Sequence, residues 1–244
     1  MKTDFNCKLF DINVFNRLSE SFDSDCNIFS EQINDDLMIL DKLGFHRLIC
    51  IVNHSEFDSV ALTLSKIKSL EQFIKKSISL SNRRKFKIFV YPKLVLGADV
   101  PYIMDLCKLA LNRSKYIFLE LPAYTTKISD LDEALNKILY NCKLVPVFSN
   151  FQVCNNLYPD DFINRLIKIK GAAFEFSLRN ENFERNIATI RKIYNTGNLV
   201  LFSTNCDHKN LNQKVVSDNL NKLKKELDEQ IYLDIIIKSH VFLR

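Results

Sequence analysis

Residues 199–208 read LVLFSTNCDH, and this stretch decides how the chain is interpreted. Four apolar residues in succession, 199–202, are typical of a strand buried on both faces, as in a parallel sheet covered by helices. The run then ends in six polar or reactive residues, 203–208. In parallel α/β folds the functional side chains lie at the carboxyl ends of the strands. The stretch therefore predicts a buried strand with a candidate site at its end.

Other apolar runs repeat this pattern along the chain, separated by stretches with apolar residues at helical spacing. The predicted helices lie around 33–40, 60–79, 100–111, 128–138, 183–194 and 216–227. Seven strand–helix units in a row, with no linker, predict one parallel α/β domain over 1–244. A closed barrel and an open doubly wound sheet both fit this pattern. The six further runs are KLFDI (8–12), RLICIV (47–52), FKIFVY (86–91), YIFLEL (116–121), LVPVF (144–148) and AAFEF (172–176).

Composition excludes several classes of protein. The 244 residues include only four glycines, and neither GxGxxG nor GxxxxGK[ST] occurs, which argues against dinucleotide-binding and P-loop proteins. The net charge is +5, and its densest basic run, 83–87, is better explained as a solvated loop than as a nucleic-acid contact. The seven cysteines are scattered and form no CxxC pair, which is typical of a reducing compartment. The sequence also has no signal peptide or membrane-length apolar run, so we expect a cytoplasmic protein.

Metal-ligating residue types follow several of the predicted strands. His54 follows the second strand, Glu120 lies inside the fourth apolar run, and Cys206 and His208 follow the seventh. Side chains that converge from several strands in this way are suited to a metal or an anion. Each residue also has a structural explanation: a hydrogen-bonded histidine, a glutamate in a polar barrel mouth, a buried thiol.

The strand ends resemble motifs of the PHP (polymerase and histidinol phosphatase) superfamily. The likeness runs from about residue 10 to the C-terminus and is greatest to bacterial capsule-biosynthesis protein-tyrosine phosphatases, which depend on manganese. Four segments show the likeness and occur in the same order as in the family: KLGFHRLICIVNH, YIFLELPAY, KLVPVFSNFQV and GNLVLFSTNCDH. This resemblance implies a single distorted (β/α)7 TIM-like barrel.

The same resemblance implies that most metal-ligand positions have been replaced. His54, Glu120 and His208 keep the family's residue, whereas Val153 stands where the family has a phosphate-binding arginine. On this basis we expect no cofactor; the alternative is a single Zn or Mn ion held by His54, Glu120, Cys206 and His208. The replaced ligand positions are Asn13, Phe15, Val95, Asn150 and Cys206.

Three functions remain open from the sequence. The first is a catalytically degenerate barrel that binds or regulates, with a protein or phosphopeptide partner in capsule or exopolysaccharide production. The second is an active phosphoesterase or tyrosine phosphatase with a reduced metal site. The third is an RNA-associated scaffold, which the basic run 83–87 supports only weakly and the phosphatase-like motifs YIFLELP and LVPVFSN argue against. No residue is assigned a catalytic role, and the oligomeric state is not predicted.

Overall fold

A computed structural model describes residues 2–7, 26–55, 57–80, 86–111, 114–123, 127–179, 183–204 and 212–242. They form a parallel α/β fold of the TIM-like kind, with seven strands in sequential order. Each hydrogen-bonded strand pair is parallel, and the first and seventh strands also lie close to each other. The strands are β1 (Lys2–Cys7), β2 (Phe45–Asn53), β3 (Lys87–Val95), β4 (Tyr116–Glu120), β5 (Val145–Ser149), β6 (Ala173–Ser177) and β7 (Leu199–Ser203).

Six of the predicted strands match β2–β7 closely, and the differences lie at the ends. Strand β3 continues past Pro92 to Val95 and pairs with β4 over its last three residues. Lys93 therefore belongs to the strand and does not follow it. Strand β1 was not predicted, and the strand predicted at 8–12 lies outside the described residues.

Helices connect the strands on the outside of the sheet. Their bounds are α1 (Cys26–Lys42), α2 (Val60–Leu80), α3 (Ile128–Asn136), α4 (Phe151–Leu157), α5 (Asp160–Ile167), α6 (Ile187–Asn195), α7 (Gln213–Glu226) and α8 (Glu229–Val241). Five of them, α1, α2, α3, α6 and α7, coincide with apolar stripes in the sequence, whereas α4, α5 and α8 were not among the predicted helices. Within the described ranges, no helix has both the length and the apolar character that crossing a membrane requires.

The helix predicted around 100–111 is wrong. That segment holds two short 3₁₀ helices instead, Val100–Tyr102 and Leu106–Leu109. Pro101 sits in the first of them, and Asp105 adopts a left-handed conformation (φ 63°) immediately before the second. A left-handed residue cannot continue a right-handed helix, so the apolar spacing of this segment is not realised as one α-helix.

Side chains alternate across the strands and divide the core into two parts. One face of the sheet packs against the helices and forms the large core cluster. The opposite, inner face holds a smaller apolar cluster, to which each of the strands β3–β7 contributes a residue. This apolar layer consists of Tyr91, Phe118, Val147, Ala173 and Leu201. Two residues further along each strand, on the same face, lies the candidate site.

Candidate functional site

Toward the carboxyl end of each strand from β3 to β7, the inner face carries a polar residue next after the apolar layer. Because alternate residues share a face, each of these side chains lies two residues beyond a member of the apolar layer. All except Glu120 are buried. We call this set the polar layer: Lys93, Glu120, Ser149, Glu175 and Ser203.

Glu120 is held by two donors from neighbouring strands. The Lys93 ammonium, with 2% of its side chain exposed, forms an ion pair with Glu120 Oε2. The Asn150 side-chain amide donates to Glu120 Oε1 at 2.9 Å. Both carboxylate oxygens are therefore engaged, and the positive charge that balances Glu120 comes from the chain itself.

Asn150 connects the two carboxyl groups of the polar layer. It follows β5 in a left-handed conformation (φ 53°, ψ 40°), which asparagine tolerates better than most residues. In this conformation its backbone N–H donates to Glu175 Oε2 at 2.6 Å, while its side chain reaches Glu120.

Glu175 is fully buried and is satisfied mainly by neutral donors. The Ser149 hydroxyl donates to Oε2 at 3.0 Å, and the Ser203 hydroxyl donates to Oε1. Burial raises the pKa of Glu175, whereas the hydrogen bonds and the charge of nearby Lys93 lower it. Burial dominates, so Glu175 keeps its proton to higher pH than an exposed glutamate.

Val95 lies beside Glu120 in the strand register and on the same face. Its side chain is 54% exposed, which places an apolar group at the mouth of the site. The resemblance puts a glutamate ligand at this position. A valine provides no donor atom, so here the mouth carries a hydrocarbon surface next to the one accessible carboxylate of the polar layer.

His54 faces a different part of the molecule. Its Nδ1 is 2.7 Å from the Thr63 hydroxyl on α2, and its backbone N–H donates to the carbonyl of Lys93. Burial lowers the pKa of His54; the charge of Asp58 raises it, and that of Lys66 lowers it. The described side-chain hydrogen bond of His54 is therefore to α2, whereas its backbone hydrogen bond is to β3.

The described residues do not fit the metal that the resemblance implies. In the part of the chain that the structure describes, no three His, Cys, Asp or Glu side chains are grouped as metal ligands require. A divalent ion about 4 Å from the Lys93 ammonium would be repelled by on the order of 8 kcal/mol at an effective dielectric of about 20, relative to the same site without that lysine. The predicted positions Asn13, Phe15, Cys206 and His208 lie outside the described residues.

The structure brings together some of the predicted site residues and adds others. Val95 and Asn150 both lie beside Glu120, and the Asn150 side-chain amide donates to its carboxylate. Glu175 was missed. Its signal was present in the sequence, because AAFEF places a charged residue inside an apolar strand just as YIFLEL does.

Comparisons with known proteins identify the fold. No family model matches the chain, and no curated protein matches it significantly. A solved structure from crystallographic work on YwqE of Bacillus subtilis and CpsB of Streptococcus pneumoniae, described there as metal-dependent tyrosine phosphatases, is similar with a TM-score of 0.66 and 16% identity. The match covers 99% of this chain and 94% of that one.

A second solved structure is more distant. It is a probable 2-pyrone-4,6-dicarboxylic acid hydrolase of Acinetobacter baumannii, with a TM-score of 0.40, 11% identity, and coverage of 86% of this chain and 87% of that one. The first match supports, at the level of the fold, the resemblance seen in the strand-end motifs. The chain therefore shares the fold of a metal-dependent tyrosine phosphatase over nearly its whole length.

Proposed function

We propose that this protein is a catalytically inactive relative of the metal-dependent tyrosine phosphatases, with a closed (β/α)7 barrel over residues 1–244 that acts in binding or regulation. The proximity of β1 and β7 and the coverage of the fold match support the closed, single-domain barrel. The bacterial and capsule-related context stays a prediction from the resemblance, and the cytoplasmic location stays a prediction from the cysteine pattern and the sequence.

One observation carries the proposal: the buried Lys93 ammonium paired with Glu120. In a metal-dependent hydrolase the metal supplies the positive charge that activates water and stabilises phosphate oxygens. Here a fixed ammonium takes the place of that charge beside the carboxylate. An ammonium has no vacant coordination position for water, so it neutralises Glu120 without generating a nucleophile.

Hydrolysis of p-nitrophenyl phosphate with added Mn²⁺ or Zn²⁺ tests this proposal. We expect no turnover above that of the metal in buffer. Metal-dependent turnover that is lost in Glu120→Gln and retained in Lys238→Gln would overturn it in favour of a reduced but active metal site. Lys238 is a suitable control because it and its ion-pair partner Asp234 both lie on α8, outside the polar layer.

We propose a phosphotyrosine-bearing peptide as the ligand class, because the similar structure is that of a tyrosine phosphatase. The described polar layer contains one ammonium, already compensated by Glu120, so phosphate binding through these residues is expected to be weak. Calorimetric titration with a phosphotyrosyl peptide and its unphosphorylated form measures this preference. Equal affinity for the two peptides would contradict the ligand class while leaving the absence of catalysis intact.

A further inference from the structure

The connection between β3 and β4 lies against the end of the α3 region. The helix α3 continues as one turn of π-helix over Lys137–Asn141, and the 3₁₀ helix Val100–Tyr102 packs on it. The Lys137 ammonium lies 4.8 Å from the centre of the Tyr102 ring and donates to its hydroxyl. These contacts hold the two segments in register.

A pair of thiols lies within this contact. Cys107 Sγ is 3.9 Å from the carbonyl oxygen of Cys142, and Cys142 Sγ is 3.8 Å from the carbonyl oxygen of Pro101. Each sulfur therefore touches the segment that carries the other. Burial raises the pKa of Cys142, and the charge of Cys107 raises it further, which also reflects their proximity.

The two thiols differ in access from Cys50 and Cys154. Cys107 is exposed and Cys142 is half-buried, whereas Cys50 and Cys154 are buried. Burial is also the main cause that raises the pKa of Cys154, to about 12, so this thiol is protonated and shielded. Thiol–disulfide exchange requires an accessible sulfur, and Cys107 provides it.

We propose that Cys107 and Cys142 form a redox modification site that reacts with low-molecular-weight disulfides of the glutathione class to give an intramolecular disulfide. The Cys107 thiolate attacks the disulfide, forms a mixed disulfide and releases one thiolate. The Cys142 thiol then loses its proton to solvent and attacks the Cys107 sulfur, which displaces the second thiolate. Two protein thiols are oxidised, and one low-molecular-weight disulfide is reduced to two thiols.

The crosslink has a structural consequence because it closes a loop from residue 107 to residue 142. That loop contains β4 and α3, so the bond ties the second 3₁₀ helix of the β3–β4 connection to the end of the α3 region. Restricting the unfolded chain in this way is expected to raise the melting temperature by on the order of 5–10 °C.

Peptide mapping tests the site directly. The full-length protein is incubated with oxidised glutathione, remaining thiols are blocked with N-ethylmaleimide, and tryptic peptides are analysed without reduction. We expect the peptide 94–108 linked to the peptide 138–143, and loss of this species after reduction. The same species is expected in Cys50→Ala, whose cysteine lies in the buried face of β2, and is expected to be absent in Cys107→Ser.

Two results would overturn the proposal. One is a glutathione adduct on Cys107 with Cys142 alkylated by N-ethylmaleimide, which would mean that the second exchange does not occur. The other is a disulfide from Cys107 to a cysteine other than Cys142. Both are read from the wild-type protein, so neither depends on a variant that folds.

Discussion

The two ends of the polar layer each hold a carboxyl group, and the groups that bind it differ between the two ends. Between β3 and β4, Glu120 is partly exposed and is neutralised by the buried Lys93 ammonium. Between β5 and β7, Glu175 is fully buried and is bound by two hydroxyls and a backbone N–H. Asn150 donates to both carboxyl groups and lies between the two ends.

This difference indicates which interaction determines the charge state of each carboxyl group. An ion pair stabilises the charged form of both partners, so removing one of them leaves an uncompensated charge. Neutral donors compensate a buried charge less completely, so burial prevails and the pKa of Glu175 rises. The Glu120 end should therefore respond most strongly to mutation, and the Glu175 end to pH.

The largest effect is expected from Lys93→Met, which removes the ammonium and keeps the length of the side chain. We expect the free energy of unfolding to fall by about 3 kcal/mol, the low end for a broken buried ion pair, because Glu120 retains some contact with water. Urea unfolding at pH 7 measures it. The double variant Lys93→Met/Glu120→Gln should be closer to wild type than the single one; equal loss in both would show that packing, not charge, is responsible.

Asn150 offers a matched pair of substitutions that separates its side chain from its backbone. Asn150→Gly keeps the left-handed backbone unstrained but loses the hydrogen bond to Glu120, and should cost about 1 kcal/mol. Asn150→Ala loses the same bond and also strains the left-handed backbone, so it should cost about 2 kcal/mol. Urea unfolding distinguishes them, and an alanine variant as stable as the glycine variant would contradict the conformational role of asparagine.

The sequence was sufficient to predict the parallel α/β architecture, because long apolar runs such as LVLF and YIFL are recognisable without knowledge of their neighbours. It was not sufficient for the 100–111 segment, where one left-handed residue overrides the apolar spacing. The pairing of Lys93 with Glu120 could not be predicted either. It depends on β3 continuing beyond Pro92 and on the register between β3 and β4, which a single sequence does not encode locally.

Glu175→Gln tests the second end of the layer through the pH dependence of stability. Because burial raises the pKa of Glu175 above its usual 4.5, the native protein keeps a proton that the unfolded chain loses, so wild-type stability falls as pH rises from 4.5 through the native pKa. Glutamine can accept from the Asn150 N–H and donate to Ser203, and it does not ionise. Unfolding curves from pH 4 to 8 should show glutamine becoming favourable relative to wild type as pH rises; a constant difference would contradict this.

The smallest effect on stability is expected at His54, whose side chain is hydrogen-bonded to Thr63 of α2 and does not belong to the polar layer. Burial lowers its pKa, so the native state favours the neutral ring, and the associated stability is lost as pH falls from 6.5 through the native pKa. His54→Gln should remove this slope and leave the slope due to Glu175 unchanged. Thermal unfolding of both proteins at pH 5, 6 and 7 measures this slope. A difference between variant and wild type that varies with pH above 7 would contradict its assignment to His54.

The most direct test of the central claim is elemental analysis of the purified protein after equilibration with Mn²⁺ and Zn²⁺ and removal of the excess. If the Lys93 ammonium supplies the charge that a metal would otherwise provide, the wild-type protein should retain less than one-tenth of an equivalent of either metal. The control variant Lys238→Gln should behave identically. One or more equivalents held by the wild-type protein, and lost in Glu120→Gln, would contradict the account and identify a working metal site.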